Sequence, residues 1–479
     1  MIFSPEKPQQ IMIEHLLNSD LAFCAVGMGI GKTASCLDAF VRLQRMGKAR
    51  AMLVVAPLRV CNLTWPMEVR QWDNFRHLKV ANLRTPGGYS AFMGGLADIY
   101  VINYEGLPKL AKMVERRGGK VPYDLVVFDE ITKARNPRSK RVITFRNEVP
   151  SVKRRWGLTG TPAPNSLRDL WGQIRMLDDG ERLGVSYSNF VQTYFDEDRY
   201  AHKVTEKEGT AEYIHNAIAD ITCTLRSSDW LKDVPDACVE DVDIALGGAL
   251  MDQYLEFERE LLLELHSGAQ ITAANAAALT SKLLQFTSGM VYDSERNKHG
   301  VHDLKVEALR KILKTHKGEP VLVAVNFKHE QDRLRRAFPQ ARFFADATTP
   351  ALQTQLLTQW NRREVPLLVV HPRSCGHGLN MQMGSNVLVW MTLTYSREEY
   401  EQTIARLVRR GQKEAVMIYR LMCPDTIDDV VAQVLQNKRD TENGLINALL
   451  MLESMRRGGA VVPVRKKVVT IQKDEEDWW

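Results

Sequence analysis

The stretch Leu21-Ala22-Phe23-Cys24-Ala25-Val26-Gly27-Met28-Gly29-Ile30-Gly31-Lys32-Thr33 decides how this chain is read. A strand-sized apolar run enters three alternating glycines and a Lys-Thr pair, and a helical pattern follows over Ala34–Gln44. A strand, a Gly-rich turn and a helix start bring backbone N–H groups and the positive end of a helix dipole against phosphates. Gly27, Gly29 and Gly31 are read as the cradle, because side chains there would keep the backbone away from a phosphate. Lys32 is expected to reach the β- and γ-phosphates, and the Thr33 hydroxyl to ligate Mg²⁺. ATP and Mg²⁺ are therefore the expected cofactors.

Further along, Tyr123-Asp124-Leu125-Val126-Val127-Phe128 is a second apolar run, and it ends in Asp129-Glu130. Two acids at a strand end can divide the labour of hydrolysis. Asp129 is expected to hold Mg²⁺ through water, and Glu130 to orient and deprotonate the attacking water. An isolated Asp-Glu pair reads equally well as the cap of the next helix; the phosphate loop upstream selects the catalytic reading. Near the other end, Gln402-Thr403-Ile404-Ala405-Arg406-Leu407-Val408-Arg409-Arg410-Gly411-Gln412 spaces two arginines three apart. On a helix, Arg406 and Arg409 would share a face. They are expected to stabilise charge on the γ-phosphate, an effect worth roughly 10³–10⁵ in rate.

Around these motifs, apolar β-branched runs alternate with helical patterns in two stretches. The first holds Leu21–Val26, Ala51–Pro57, Ile99–Asn103, Leu125–Phe128 and Arg155–Leu158; the second holds Val321–Val325, Leu367–Val370, Val387–Trp390 and Val416–Arg420. Such alternation predicts an α/β fold, with parallel sheets covered by helices on both faces. Met251–Leu265 and Ile271–Phe286 read as helices from their Ala/Leu/Glu-rich composition. The expected divisions are 1–228 for an ATP-binding lobe, 229–300 for a largely helical protrusion and connector, 301–440 for a second lobe, and 441–479 for a C-terminal helix and acidic tail.

Composition removes other classes. With 44% hydrophobic and 25% charged residues among 479, the chain is neither collagen-like nor low-complexity nor wholly disordered. No apolar run approaches the ~20 residues needed to span a bilayer, so no membrane role is expected. The opening MIFSPEKPQQ lacks the apolar core of a secretory leader. Seven scattered cysteines without a CxxC pair argue against a zinc ribbon or a disulfide scaffold and for a cytoplasmic location. The net charge of +6 understates the basic character, because four acids sit together at Asp474–Asp477. Basic clusters at Lys133–Arg141, Lys153–Arg155, Arg333–Arg336 and Arg406–Lys413 read either as solvated faces or as patches that neutralise phosphates.

Taken in order, the motifs resemble those of Swi/Snf-family ATPases of helicase superfamily 2, from Pro8 to Val430. Val26, where a strict phosphate loop has its first glycine, is a departure common in that superfamily. Lys7-Pro8-Gln9-Gln10 resembles the opening glutamine motif, with Gln10 in the adenine-reading place. Val54–Pro57 followed by Trp65, Glu68 and Trp72 resembles motif Ia, and Val101–Glu105 resembles motif Ib. Gly157–Pro162 with Asn165 and Leu170 resembles motif III. Ser374, Gly376, Gly378, Leu379 and Asn380 resemble motif V, and Gln402, Arg406, Arg409, Gly411 and Gln412 motif VI. The runs GLTGTPAPNSLRDLWGQIRMLDDGERLG and YSREEYEQTIARLVRRGQ are similar in form to the short bacteriophage-encoded branch. Thr132, Val408 and Tyr395 depart from the family pattern; Val408 replaces a His that links ATP to DNA.

The resemblance implies two RecA-like lobes that close on Mg-ATP, with the arginines acting across the cleft. It implies a DNA track lined by Pro57, Asn103, Thr159, Gly160, Thr161, Asn326 and Ser374, which would position a duplex without reading its sequence. The implied activity is ATP-driven movement on double-stranded DNA, in a bacterial host's cytoplasm if phage-encoded; a strand-separating DNA or RNA helicase is the alternative. The terminal DEEDWW stays open to three readings. Its rings pack on the protein's own surface, or recruit a protein partner, or its acids compete with DNA for the basic track.

Overall fold

The computed structural model describes residues 1–163, 166–198, 203–230, 234–235, 237–267, 273–375, 379–436, 452, 456 and 468–471. Asn165, Gly376, Gly378 and the acidic tail lie outside them. The chain divides into two compact units, Met1–Lys232 and Asp233–Asp474.

The first unit contains β1 (Leu21–Val26), β2 (Met52–Ala56), β3 (Val80–Asn82), β4 (Ile99–Asn103), β5 (Leu125–Asp129) and β6 (Arg154–Thr159). An antiparallel hairpin, β7 (Phe195–Asp198) and β8 (Lys203–Glu206), precedes β9 (Thr222–Leu225). Apart from the hairpin these strands form one sheet in the order β3-β4-β2-β5-β6-β1-β9, with every pairing parallel. Alternate side chains feed two apolar cores. Phe23, Leu53, Val55, Tyr100, Ile102 and Phe128 fill one face, and Cys24, Val54, Val101, Val127, Trp156 and Leu158 the other. Burial on both faces explains why these strands read as unbroken apolar runs.

Register then sets the site. The β1–β6 ladder pairs Ala25 with Thr159, and the β5–β6 ladder pairs Asp129 with Leu158. The carboxyl ends of β1, β6 and β5 therefore finish side by side, the edge where open parallel sheets place ligands.

The second unit holds β10 (Ala237–Asp243), the small hairpin β11 (Met290–Tyr292) and β12 (Lys298–Gly300), then β13 (Val321–Ala324), β14 (Arg342–Phe343), β15 (Leu367–Val370), β16 (Val387–Trp390), β17 (Val416–Met422) and β18 (Val468–Ile471). Its sheet runs β14-β15-β13-β16-β17-β10-β18 and is parallel except where β18 runs against β10. Two parallel-sheet units thus meet the fold expectation. Of the stretch 229–300, expected as a largely helical protrusion and connector, the part from Asp233 onward belongs to this unit. It contains β10, paired with β17 from Ala237↔Val416 to Asp243↔Met422. The expected helices are found at Gly248–Ser267 and Ala273–Thr287, the second described from Ala273 onward. They are tied to the same body: Ile427 N donates to Tyr254 Oη at 2.9 Å, and Thr287 Oγ1 to Asp428 Oδ1 at 2.9 Å. No described helix is long and apolar enough to cross a membrane.

Candidate active site

β1 delivers the chain into the glycine turn, and helix α2 (Lys32–Arg45) begins directly after it. Gly29 and Gly31 take φ of 86° and 95°, the left-handed region in which other residues are strained. Glycine is also needed for space. A Cβ on Gly27 would lie 2.2 Å from Ser227 Oγ, and one on Gly31 would lie 2.4 Å from Gln9 Nε2. Lys32 Nζ donates to the carbonyls of Val26 at 2.7 Å and Gly27 at 3.3 Å, so the ammonium is folded into the turn itself. Thr33 stands half-buried in the first turn of α2. Gly160, just past β6, lies where a Cβ would be 3.6 Å from Lys32 Nζ.

The acid pair closes β5. Asp129 is buried, and its Oδ2 accepts from Trp65 Nε1 at 2.9 Å. Glu130 turns into the left-handed region, with φ 52° and ψ 57°. The Tyr104 hydroxyl donates to the carbonyls of both Asp129 (3.1 Å) and Glu130 (3.2 Å). Burial first, and then the negative charges of Asp129 and Glu130, push the Tyr104 phenol well above its ordinary pKa, so it stays a donor. Burial followed by the Asp129 charge also raises the Cys36 thiol, which leaves it inert beneath the loop.

Gln10, expected in the adenine-reading place, lies on the outward face of its helix, next to an inward-facing Gln9. Helix α1 (Lys7–Asn18) buries Met12, Ile13 and Leu16, and that period turns position 9 inward and position 10 outward. Gln9 Nε2 donates to Ile30 O of the glycine turn at 3.0 Å, and its Oε1 accepts from Glu6 N at 2.9 Å. Gln10 is exposed and donates to Pro5 O. Three more contributors were assigned no task at this site by the sequence reading: Trp65 and Tyr104, noted only within motifs Ia and Ib, and Ser227. Ser227 Oγ donates to Met28 O at 2.9 Å, capping the glycine turn from a segment 199 residues away. For Gln9 the apolar period of α1 was a usable signal; Trp65 and Tyr104 lay within the runs resembling motifs Ia and Ib, which did not point to the acid pair, and Ser227 lay in none.

The residues expected to face DNA divide. Pro57 is half-buried just beyond β2. Asn103 is only 5% exposed, and its Nδ2 donates to Glu105 Oε2 at 2.7 Å. Thr159 is fully buried, with Oγ1 accepting from Thr161 N at 3.0 Å, and Thr161 and Gly160 are buried beside it. In the second unit, Asn326 Nδ2 donates to Leu393 O at 3.4 Å, and Ser374 N to His371 O at 2.7 Å. Also there, Arg406 and Arg409 converge: Arg406 Nη1 lies 3.4 Å and Arg409 Nη1 3.3 Å from Leu379 O. Their shared direction does not come from a common helix. The helix Arg397–Ile404 ends before them, and the turns that follow aim both guanidinium groups at one carbonyl.

An ammonium, a hydroxyl and two carboxylates at one sheet edge, beside backbone N–H groups of a helix start, fit a magnesium–nucleotide. Mg²⁺ takes oxygen ligands, few of them from protein, with phosphates supplying others. Fold and site together define a helicase-type ATPase with a phosphate loop. The family described as SNF2-related domain matches residues 22–281, and the helicase conserved C-terminal domain matches residues 304–411. The chain belongs to the SNF2-related family.

Among its relatives is a putative protein p41 of Acyrthosiphon pisum secondary endosymbiont phage 1, 35% identical over 95% of this chain and 99% of that one. The nuclear protein STH1/NPS1 of Saccharomyces cerevisiae is 22% identical over 88% of this chain. The DNA repair and recombination protein RAD54B of Mus musculus is 22% identical over 89%. This chain spans 33% and 53% of those two proteins. A Sulfolobus solfataricus SWI2/SNF2 ATPase core solved with dsDNA is 19% identical, covering 95% of this chain and 98% of that one, with a TM-score of 0.42.

Proposed function

We propose that the chain hydrolyses ATP at the glycine turn and acid pair of its first unit, and uses the cycle to move along duplex DNA without separating the strands. The observation that carries this reading is the shared edge of β1, β6 and β5, which gathers Lys32, Gly160 and Asp129–Glu130. Lys32 would exchange the carbonyls of Val26 and Gly27 for phosphate oxygens. Thr33 and Asp129 would hold Mg²⁺, which supplies charge neutralisation at the phosphates. Glu130 would orient the attacking water and take its proton. Gln9 takes the place beside the nucleotide first assigned to Gln10. Arg406 and Arg409 would turn from Leu379 O to the γ-phosphate when the units close, placing cationic charge where the transition state spreads its own.

For DNA, Pro57, Asn326 and Ser374 and the exposed Arg138 and Lys140 beyond β5 would offer the backbone contacts. Asn103, Thr159, Gly160 and Thr161, being buried, would act from beneath that track. The kinship with DNA repair and recombination proteins supports a DNA substrate, and the phage-encoded relative supports action in a bacterial cytoplasm. The test sets the ATPase rate with duplex DNA, single-stranded DNA and RNA beside two displacement assays. Duplex DNA is expected to stimulate turnover, and the protein to strip a third strand from a triplex while leaving a forked duplex intact. Binding should weaken steeply with salt as phosphate contacts release counterions. Robust unwinding of the fork would replace this reading with the strand-separating one, and stimulation by RNA alone would sink both DNA readings.

A further inference from the structure

Two side chains that take no part in hydrolysis end on the acid pair. Trp65 follows a single π-helical turn, Val60–Thr64, which leads from the end of β2 into the helix Trp65–Gln71. Such wide turns are rare and recur at functional sites. Here the turn swings a fully buried indole onto Asp129 Oδ2, 64 residues away in sequence. A buried indole N–H needs an acceptor, and a backbone carbonyl would serve. This one is spent on a carboxylate, a charge-assisted bond that fixes the carboxylate plane. Tyr104 is the first residue after β4, and its hydroxyl grips both carbonyls of the Asp129–Glu130 turn. That turn carries Glu130 at φ 52°, a conformation that persists in a non-glycine residue only when its surroundings enforce it.

We infer that Trp65 and Tyr104 are positioning residues with separate tasks: Trp65 orients the Asp129 carboxylate toward the metal and its waters, and Tyr104 holds the left-handed turn that aims Glu130 at the attacking water. The inference rests on the roles proposed above for Asp129 and Glu130. It assigns metal affinity to one donor and turnover to the other, which a common packing role would not do. Outer partners of metal-binding groups typically govern 10–100-fold in metal affinity or activity.

Trp65→Phe and Tyr104→Phe each remove one donor and keep an aromatic ring. Mn²⁺ affinity with ADP, read by electron paramagnetic resonance on the full chain, is measured beside kcat, ATP affinity and melting temperature. Trp65→Phe is expected to weaken Mn²⁺ binding about tenfold or more. Trp65→His, which keeps a ring N–H, should retain more of that affinity than Trp65→Phe. Tyr104→Phe should leave Mn²⁺ and ATP affinity within about twofold and lower kcat about tenfold. Unchanged Mn²⁺ affinity in Trp65→Phe, a reversed order of the two Trp65 variants, or lost melting temperature with both readouts intact would each overturn the inference. Asp129→Asn and Glu130→Gln are the controls. If these bind Mn²⁺ and turn over ATP like the parent chain, the acid-pair assignment itself fails, whatever Trp65 and Tyr104 do.

Discussion

The two units share the architecture of a parallel sheet between helices, yet they use buried polar groups for different ends. In the first, one group of buried polar side chains gathers at the carboxyl edge of the sheet: Gln9, Asn103, Asp129, Thr159 and Thr161. In the second, one group of buried charges pairs within the body. Lys305 Nζ meets Asp428 Oδ2 at 2.8 Å with both side chains almost wholly buried, and Arg420 Nε meets Asp241 Oδ1 at 2.5 Å across the β10–β17 ladder. Asp428 also accepts from Thr287 Oγ1 and Cys423 N, so its carboxylate joins three elements. His329 is also buried in this unit, with Nε2 3.3 Å from Ser288 Oγ. A polar group at a sheet edge can be satisfied by a ligand that comes and goes. One in the interior must be satisfied by the protein, permanently. The first unit's polar residues should therefore govern turnover with little effect on stability, and the second unit's the reverse.

The largest effects should fall on the first half of that contrast. Lys32→Ala is expected to abolish ATP turnover and leave the melting temperature within a degree or two. Glu130→Gln should retain bound ATP and lose about 10²–10⁴ in rate, since a carboxamide is a poor base. Arg406 is the informative exception, because it belongs to the second unit yet is assigned to the γ-phosphate. Arg406→Ala should lose roughly 10³–10⁵ in turnover at nearly constant ATP affinity. Loss of melting temperature at full activity would return this arginine to the structural class of its neighbours.

Next comes the interior pair. Asp428→Ala would leave the Lys305 ammonium buried without its carboxylate, which costs about 3–5 kcal/mol when one partner of a buried pair is removed. Calorimetry should show an early transition for the second unit, with that of the first unit and its ATP-induced shift preserved. A single, unshifted transition would break the comparison.

The second unit should also respond to acid. Burial, and then the positive charges of Lys305 and Arg333, hold His302 at about 4 despite Asp428 and Asp303 nearby. Burial, and then Arg333 and Lys298, hold His329 at about 3 despite Asp332. Both groups ordinarily titrate at 6.5. Above 6.5 neither the folded nor the unfolded chain protonates them, and their neutral forms cost nothing. As pH falls below 6.5 the unfolded chain takes up protons that the folded one refuses, so stability declines toward the folded values. The second unit's melting temperature should drop between about pH 6.5 and pH 4, and His329→Gln should flatten that slope.

Individual elements show what was legible. β1, β4, β15 and β16 match their apolar runs residue for residue, and β2, β5 and β6 to within a residue or so at each end. Strands buried on both faces must be apolar throughout, and composition reports that directly. β10 escaped because Ala-Cys-Val-Glu-Asp-Val-Asp alternates buried with half-buried positions and carries three acids, one of them paired with Arg420. β3, β14 and β18 are short strands in or at the sheet margins, where no long apolar run is required. Gln9 was hidden by an identical neighbour, and only the helical period separates the two. For Arg406 and Arg409 the spacing correctly placed them together, but for the wrong reason.

What the sequence determined by itself is what local chemistry requires. A backbone that must approach phosphate needs Gly29 and Gly31, a phosphate- and metal-binding turn needs an ammonium and a hydroxyl such as Lys32 and Thr33 directly after it, and an acid pair at the sheet edge needs a strand to end at Asp129. Each of these is set within a few residues, so one reading of the chain finds it. Tertiary structure alone decided what those groups lean on: Trp65 on the Asp129 carboxylate, Tyr104 on the carbonyls of the acid pair, Ser227 on the glycine turn, and Lys305 on Asp428. These partners are separated by 64, 25, 199 and 123 residues, and nothing at either end marks the other. They meet because strand order and register bring distant segments to one edge or one core. Once there, a buried donor takes whatever acceptor the fold presents.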